Sequence, residues 1–381
     1  MEKSGISSSH PPLPPISEED LYLSLRLLRS RRVGPATFYR LVDEHGSIAA
    51  ALAALPEVAR AAGEPNYAVC PEGVVKAELK AGKRAGARLL TRGHAGYPRE
   101  LAKLDDAPPL LWARGPLRVD AKPQIALVGA RNASSLGTRM TRRLAAELGE
   151  AGFTVVSGLA RGVDTAAHAS ALDTGTIAIV AGGADIVYPA ENAELMGEIA
   201  KTGLILSEMP MGLQPQARHF PRRNRLISGV SRAVVVVEAA AKSGSLITAN
   251  IALDQGREVF AVPGHPFDAR ASGCNMLIRD GAMLARGAHD IVEALEDTFQ
   301  QPALPLAVPD DPTPKSPATL RKVAALHSAI IERLGPSPMA EDQLIRDSGA
   351  APEQVSSALV DLELEGRIER QSGGLLSLKS A

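Results

Sequence analysis

From residue 124 onward, short aliphatic runs end in glycine and alternate with stretches of helical periodicity, a rhythm that narrows the possible folds more than any other feature of the chain. The runs fall at 125–128, 154–156, 177–180, 204–206, 234–237 and 259–262. The first five are almost continuously apolar, as strands covered on both faces require. Strands that alternate with helices pair in parallel, because each connection must cross back over the sheet. The expected fold class is therefore α/β, with a Rossmann-like, doubly wound parallel sheet as the core of residues 87–300.

The flanks read differently. Residues 1–16 are small, polar and proline-rich, and are expected to form a disordered tail. Ser17 and Asp20 make a capping arrangement, and Leu21, Leu25 and Leu28 recur at helical spacing. An N-terminal helical module of the helix-hairpin-helix or sterile-alpha-motif kind is expected at 17–86. Its turn, Val33-Gly34-Pro35-Ala36, is flanked by Arg29, Arg31, Arg32 and Arg40, which read either as a phosphate grip or, more commonly for such turns, as solvated surface. Six prolines from Pro302 to Pro317 mark an extended linker at 301–318. Beyond it, helical segments at 320–334, 339–348 and 352–365 precede a hairpin at 367–378 turning at Gly373-Gly374, so residues 319–381 are expected to be a winged helix. Its third helix carries Glu353, Asp361, Glu363 and Glu365 without Lys or Arg. That suits protein contact better than duplex reading, since phosphate neutralisation supplies most duplex affinity.

With 42 Lys plus Arg against 43 Asp plus Glu, an anion site can arise only by local segregation of charge. Two stretches segregate it. Residues 121–146 contain Lys122, Arg131, Arg139, Arg142 and Arg143, residues 209–237 contain Arg218, Arg222, Arg223, Arg225 and Arg232, and neither holds a carboxylate. The strands end in Gly129-Ala130-Arg131, Ser157-Gly158-Leu159-Ala160-Arg161-Gly162, Ala181-Gly182-Gly183 and, further on, Ser243-Gly244-Ser245. These make a row of amide nests on the edge where parallel sheets take ligands. Arg131 follows a strand directly, where it must pair with an acid or hold a ligand anion. The run Phe220-Pro221-Arg222-Arg223-Asn224-Arg225 joins stacking, charge and an amide in one segment. Arg139, Arg142 and Arg143 read as a solvated helix face.

Several function classes are disfavoured. Val128-Gly129-Ala130-Arg131-Asn132 lacks the later glycines of a dinucleotide fingerprint, and no loop ends in Gly-Lys-Ser/Thr, so no cofactor is expected. Asp164 and His168 lie four apart, and read as a helix cap and a packed histidine more than as metal ligands or a general base. No G-x-S-x-G elbow surrounds Ser157. Aromatic residues are only 3% of the chain, which argues against a broad base-stacking platform. Cys70 and Cys274 fit neither a disulfide framework nor a zinc site, and a reducing cytoplasm is expected. No run of about 18 apolar residues suggests a membrane span.

Taken in order, the motifs of residues 97–290 resemble the DprA/Smf family of DNA processing proteins. They include Gly96-Tyr97-Pro98, Val128-Gly129-Ala130-Arg131, the loop from Ser157 to Asp164 with His168, Tyr188-Pro189, Ser207-Glu208, the Phe220 to Arg225 run, the segment from Ser243 to Thr248 and Val262-Pro263-Gly264. The resemblance implies a non-catalytic protein that binds and protects single-stranded DNA and helps load the RecA recombinase during natural transformation. It implies nucleic-acid contacts at Arg131, Arg161, Gly162, Arg222, Asn224 and Arg225, with Phe220 as the stacking residue, and the amide nests and the basic stretch add Gly129, Ser157, Gly158, Arg218, Ser243, Gly244 and Ser245 as expected contacts. It also implies a homodimer in contact through Ile278 and Leu284. The family's usual serine before the arginine is Ala130 here, which removes one hydroxyl donor. The alternative is an enzyme similar to the lysine decarboxylase-like nucleotide phosphoribohydrolases. Those need a glycine-rich loop followed by a glutamate, and residues 243–250 contain no carboxylate.

Overall fold

The computed structural model describes residues 17–93, 96–116, 118, 121–300, 317–334, 338–364, 367–371 and 375–378. The chain divides into two compact units after Gln300. In the first, the helix Glu18–Leu28 starts at a reciprocal cap: Ser17 Oγ accepts from the Asp20 amide at 3.0 Å, and the Asp20 carboxylate accepts back from Ser17. Helices Pro35–His45, Ile48–Ala61 and Glu72–Arg84 follow. Leu27, Phe38, Leu41, Ala51 and Leu55 form the small core of this module. Its arginines are occupied: Arg29 pairs with Glu78, Arg31 and Arg32 with Glu64, and Arg40 with Glu44. The turn at Gly34-Pro35 therefore presents no unpaired arginine from this set: Arg31, Arg32 and Arg40 are exposed surface pairs, whereas Arg29 is largely buried against Glu78.

Nine strands form the core sheet: β1 (Ala87–Thr91), β2 (Leu110–Arg114), β3 (Gln124–Val128), β4 (Thr154–Ser157), β5 (Thr176–Ile179), β6 (Leu204–Ser207), β7 (Ala233–Val236), β8 (Glu258–Ala261) and β9 (Met283–Leu284). Their order is β1-β2-β6-β5-β4-β3-β7-β8-β9. Every pairing from β6 to β9 is parallel, whereas β1 with β2 and β2 with β6 are antiparallel. All six expected strands are present. The other three escape the pattern because β1 is only half buried, β2 carries Trp112 and ends in Arg114, and β9 has two residues. Alternation along β3 feeds two cores, with Ala126 and Val128 in one and Ile125 and Leu127 in the other. Helices His219–Val230 and Gly244–Asp254 cover the first face, and Ser135–Glu150 and Ala288–Gln300 the second.

Glu78 ties the helical module to the sheet. Buried, it accepts two bonds from Arg29 at 2.8 and 2.9 Å and one from Trp112 Nε1 on β2 at 2.8 Å. Tyr39 adds a bond to the Ala107 carbonyl at 3.0 Å.

The second unit has helices Pro317–Arg333, Glu341–Ser348 and Pro352–Leu364 and a small sheet of β10 (Met339–Ala340), β11 (Ile368–Gln371) and β12 (Leu375–Leu378), ordered β10-β12-β11. Ile330, Leu344, Val355, Leu359, Ile368 and Leu376 are its core, and the arrangement is a winged helix. Its first helix begins at Pro317, inside the expected linker, since proline at a first helical position lacks only a donor that has no partner there. Residues 1–16, 301–316 and the hairpin tip at 372–374 lie outside the described residues.

Removing Glu78 strands three donors, two of Arg29 and one of Trp112, at a buried joint. Glu78→Ala is expected to lower stability by about 3 kcal/mol, read as a fall in the urea midpoint, and an unchanged midpoint would show that the joint does not hold the modules together.

Candidate nucleic-acid interface

The chain builds β4, β5 and β6 on one side of β3, then returns to place β7 on the other side. The loops leaving β3 and β7 therefore part from each other, and the gap between them is where an open parallel sheet receives ligands. A cleft of about 910 Å³ opens there. Arg131, Phe220, Arg223, Asn224, Lys242 and Arg270 supply its side-chain chemistry, and residues 243–245 bring a helix N-terminus to it.

Arg131 is exposed at the mouth, its guanidinium 5.1 Å from the centre of the Phe220 ring. Phe220 also packs against Tyr188, centroids 5.6 Å apart. Tyr188 is exposed, so the trio presents a guanidinium and two aromatic surfaces to solvent. Among the described residues no carboxylate pairs with Arg131, which leaves the ligand-anion alternative at that position.

Arg223 lies behind this trio. It sits on the inward face of the helix His219–Val230, in line with Leu226, Ile227 and Val230, and is 5% exposed. Its Nε and Nη1 have no hydrogen-bond partner among the described residues. Burial brings its pKa down to about 10, opposed by the nearby Asp164 carboxylate, so it stays charged at neutral pH. Gly158 presses directly on the guanidinium, and a β-carbon at that position would overlap Nη1. Here glycine is required by close approach, and at Gly162 by its left-handed φ of 75°, which lets the loop after β4 lie against Ala130.

Asp164 does not cap its own helix. That helix, Val163–Ser170, has Gly162 at its N-cap, and the Asp164 carboxylate instead accepts from the amides of Gly158 and Ala160, both at 3.1 Å. It thereby shapes the loop that touches Arg223. Burial raises its pKa against the pull of Arg223 and these amides. His168 is a packed histidine as expected, its Nδ1 2.7 Å from Thr176 Oγ1 and its Nε2 accepting from Leu159 at 3.3 Å.

The remaining sequence-derived positions divide. Gly129, Asn224, Ser243, Gly244 and Ser245 line the cleft, and Gly158 and Arg161 line a narrower recess that shares Arg131, Phe220 and Arg223 with it. Arg218 is exposed beside His219, outside the cleft lining. Ser157 points into the core and donates to the Leu127 carbonyl at 2.7 Å. Arg225 is held by Glu208 at 2.5 Å and Asp106 at 3.2 Å, and Arg222 faces the same Glu208 at 3.4 Å. Ser243 and Ser245 bond each other through their hydroxyls. Arg223 was not among the expected contacts, although it lies in the quoted run; only its placement on the helix distinguishes it from Arg222. No group of three or more metal-ligating side chains occurs among the described residues. Ile278 is half buried against the core, and Leu284 lies on the sheet-edge strand β9, 43% exposed.

The fold and cleft define a class: a Rossmann-like core with a basic crevice at the strand-order reversal, preceded in the chain by a helical module and followed by a winged helix. Residues 88–296 match the family of DNA recombination-mediator protein A, residues 18–81 its DprA-like N-terminal helix-hairpin-helix domain, and residues 312–374 its winged-helix domain. The chain belongs to the DprA/Smf family. It is 35% identical over 322 residues to the Smf protein of Synechocystis sp., covering 75% of this chain and 79% of that one. It is similar to the crystal structure of DNA processing protein A from Streptococcus pneumoniae, with 32% identity, a TM-score of 0.60, and coverage of 73% of this chain and 98% of the other. The DNA processing protein A of Helicobacter pylori, whose structure describes that protein's single-stranded DNA binding mode, matches with 30% identity, a TM-score of 0.51, and coverage of 56% and 96%.

The buried His168 gives this region a titration signature. Burial, with a smaller contribution from Arg223, pushes its pKa down to about 3. The unfolded chain takes up that proton near pH 6.5, while the folded chain does not until about pH 3. His168 therefore makes stability fall with acid across that window, by up to about 1.4 kcal/mol per pH unit. Stability measured by urea titration should drop more steeply between pH 6.5 and 4 in the wild type than in His168→Gln, and parallel slopes would mean that the folded protein protonates His168.

Proposed function

We propose that this protein is a non-catalytic single-stranded DNA binder of the cytoplasm that delivers strands to the RecA recombinase in transformation and recombination, working as a homodimer. One observation carries the reading: a buried guanidinium with two donors unmet among the described residues, Arg223, lies behind an exposed Arg131 and Tyr188 and a half-buried Phe220. Buried donors cost free energy unless matched, and a backbone phosphate matches them, while the aromatic rings receive bases whatever their identity. Gly129, Asn224 and residues 243–245 then follow the strand, and Arg161, Arg218 and Arg222 contribute at its margins. Ser157 and Arg225 act by holding the frame. Family membership and the H. pylori protein's named binding mode support this reading, and the RecA and dimer assignments extend it. Modules at 17–86, 87–300 and 319–381 are part of the same proposal.

The phosphoribohydrolase alternative needs a carboxylate near the scissile bond. Glu238, just after β7, is committed to the amide and hydroxyl of Ser134, and Asp164 is committed to loop amides. Both favour binding over hydrolysis.

Arg131→Ala should weaken binding of a labelled single-stranded oligonucleotide by roughly 10- to 150-fold, the worth of a charge-assisted contact of about 1.5–3 kcal/mol. Fluorescence anisotropy across salt concentrations reads this, and wild-type affinity in the variant would return the cleft to small-molecule chemistry. Leu284→Arg should halve the mass measured by sedimentation, and an unaltered mass would remove β9 from the dimer contact.

A further inference from the structure

A second groove of about 630 Å³ lies beside the cleft, bounded by the start of the helix Ser135–Glu150 and the segment after β8. Arg139, Arg142 and Arg143 form its basic wall. Arg143 is paired with Glu147 at 2.6 Å, while among the described residues no carboxylate pairs with Arg139 or Arg142. The acids in the groove are already committed. Glu238 accepts from Ser134, and Asp268 accepts from the Arg270 amide at 2.9 Å and pairs with its guanidinium at 3.2 Å.

Between the lining residues His265 and Asp268 the chain carries Phe267, 94% exposed, its ring 5.5 Å from that of His265, and the lining residue Leu136 is also exposed. A phenylalanine left almost wholly in water is unusual in a soluble domain, because each buried aromatic contributes strongly to stability. The groove adjoins the cleft along two segments of the chain. Asn132 and Arg270 line the cleft, and Ser134 and Asp268, each two positions away along the chain, line the groove.

We propose that the groove is a second track for single-stranded nucleic acid, which the strand enters after crossing Arg270, with Arg139 and Arg142 neutralising phosphates and Phe267 stacking a base. This rests on the cleft's being a single-strand site. The charge of the wall, the exposed ring and the continuity across Arg270 favour a polyanion carrying bases over a protein surface. A short strand fills the cleft alone, whereas a longer one reaches the groove.

The test compares oligonucleotides of about 5 and about 25 nucleotides, bracketing the site sizes typical of compact strand binders, on the full-length protein. The doubly substituted Arg139→Ala/Arg142→Ala protein should bind the short strand as the wild type does. For the long strand its log-affinity against log-salt slope should shrink by about 1.4, two phosphate contacts at ~0.7 each. Phe267→Ala should weaken the long strand by about 5- to 150-fold, the range of one lost stack, and leave the short one unchanged. Unchanged long-strand binding in both variants overturns the second track, as does equal weakening for both lengths. Failure of the wild type to bind either length overturns the single-strand reading itself, and the second track with it.

Discussion

The reversal of strand order at β3 and β7 is the constraint on which the rest of the molecule depends. A parallel strand must be reached by a crossover, so a sheet that grows first one way and then the other leaves its two central loops with no connection between them. In this chain those loops carry Gly129-Ala130-Arg131 on one side and the segment leading to Ser243 on the other. Hydrogen bonds link their bases, the Ala130 amide donating to the Glu238 carbonyl at 2.6 Å, so the opening has fixed walls. The helix His219–Val230 then lies across the sheet between β6 and β7 and supplies Phe220, Arg223 and Asn224 from a single turn and a half.

Carboxylates sort the arginines. Glu78, Glu64, Glu208, Asp106 and Glu100 engage Arg29, Arg31, Arg32, Arg222, Arg225 and Arg257, and these pairs join modules and brace helices. Glu208 is the hinge of this system, because its backbone oxygen also receives Arg29 at 3.5 Å while its side chain holds Arg225. Among the described residues Arg131, Arg139, Arg142 and Arg223 have no such partner, and they lie around the strand-end face. A chain with almost balanced charge thus acquires a one-sided field by allocation of partners, not by excess of basic residues.

How far the sequence disclosed this follows from what each signal encodes. Central parallel strands are buried on both faces and show as aliphatic runs, so all six were legible. β1 and β2 lie at the antiparallel margin, where Arg88 and Arg114 interrupt the pattern. The crevice position of Arg131 was legible because a strand's end is. The separation of Arg223 from Arg222 and Arg225 was not, since three guanidiniums within four residues look alike until helix phase is known. Glu208 was equally hidden: it sits one residue before a stretch read as acid-free, and it neutralises two of that stretch's arginines. Asp164 looked like a helix cap because its position fits one, but the preceding loop had more amides to satisfy.

The burial of Arg223 has a thermodynamic corollary. A solvent-exposed arginine samples many rotamers, and gripping an anion requires surrendering that freedom, at a cost of up to about 2 kcal/mol. Pressed against Gly158 and surrounded by the packed helix, Arg223 surrendered it when the chain folded. The entropy loss is thus charged to the folding equilibrium, which the two aliphatic cores can sustain, and is absent from association. An anion reaching this guanidinium meets a donor array already in its final geometry, so tight capture and fast capture cease to be competing demands.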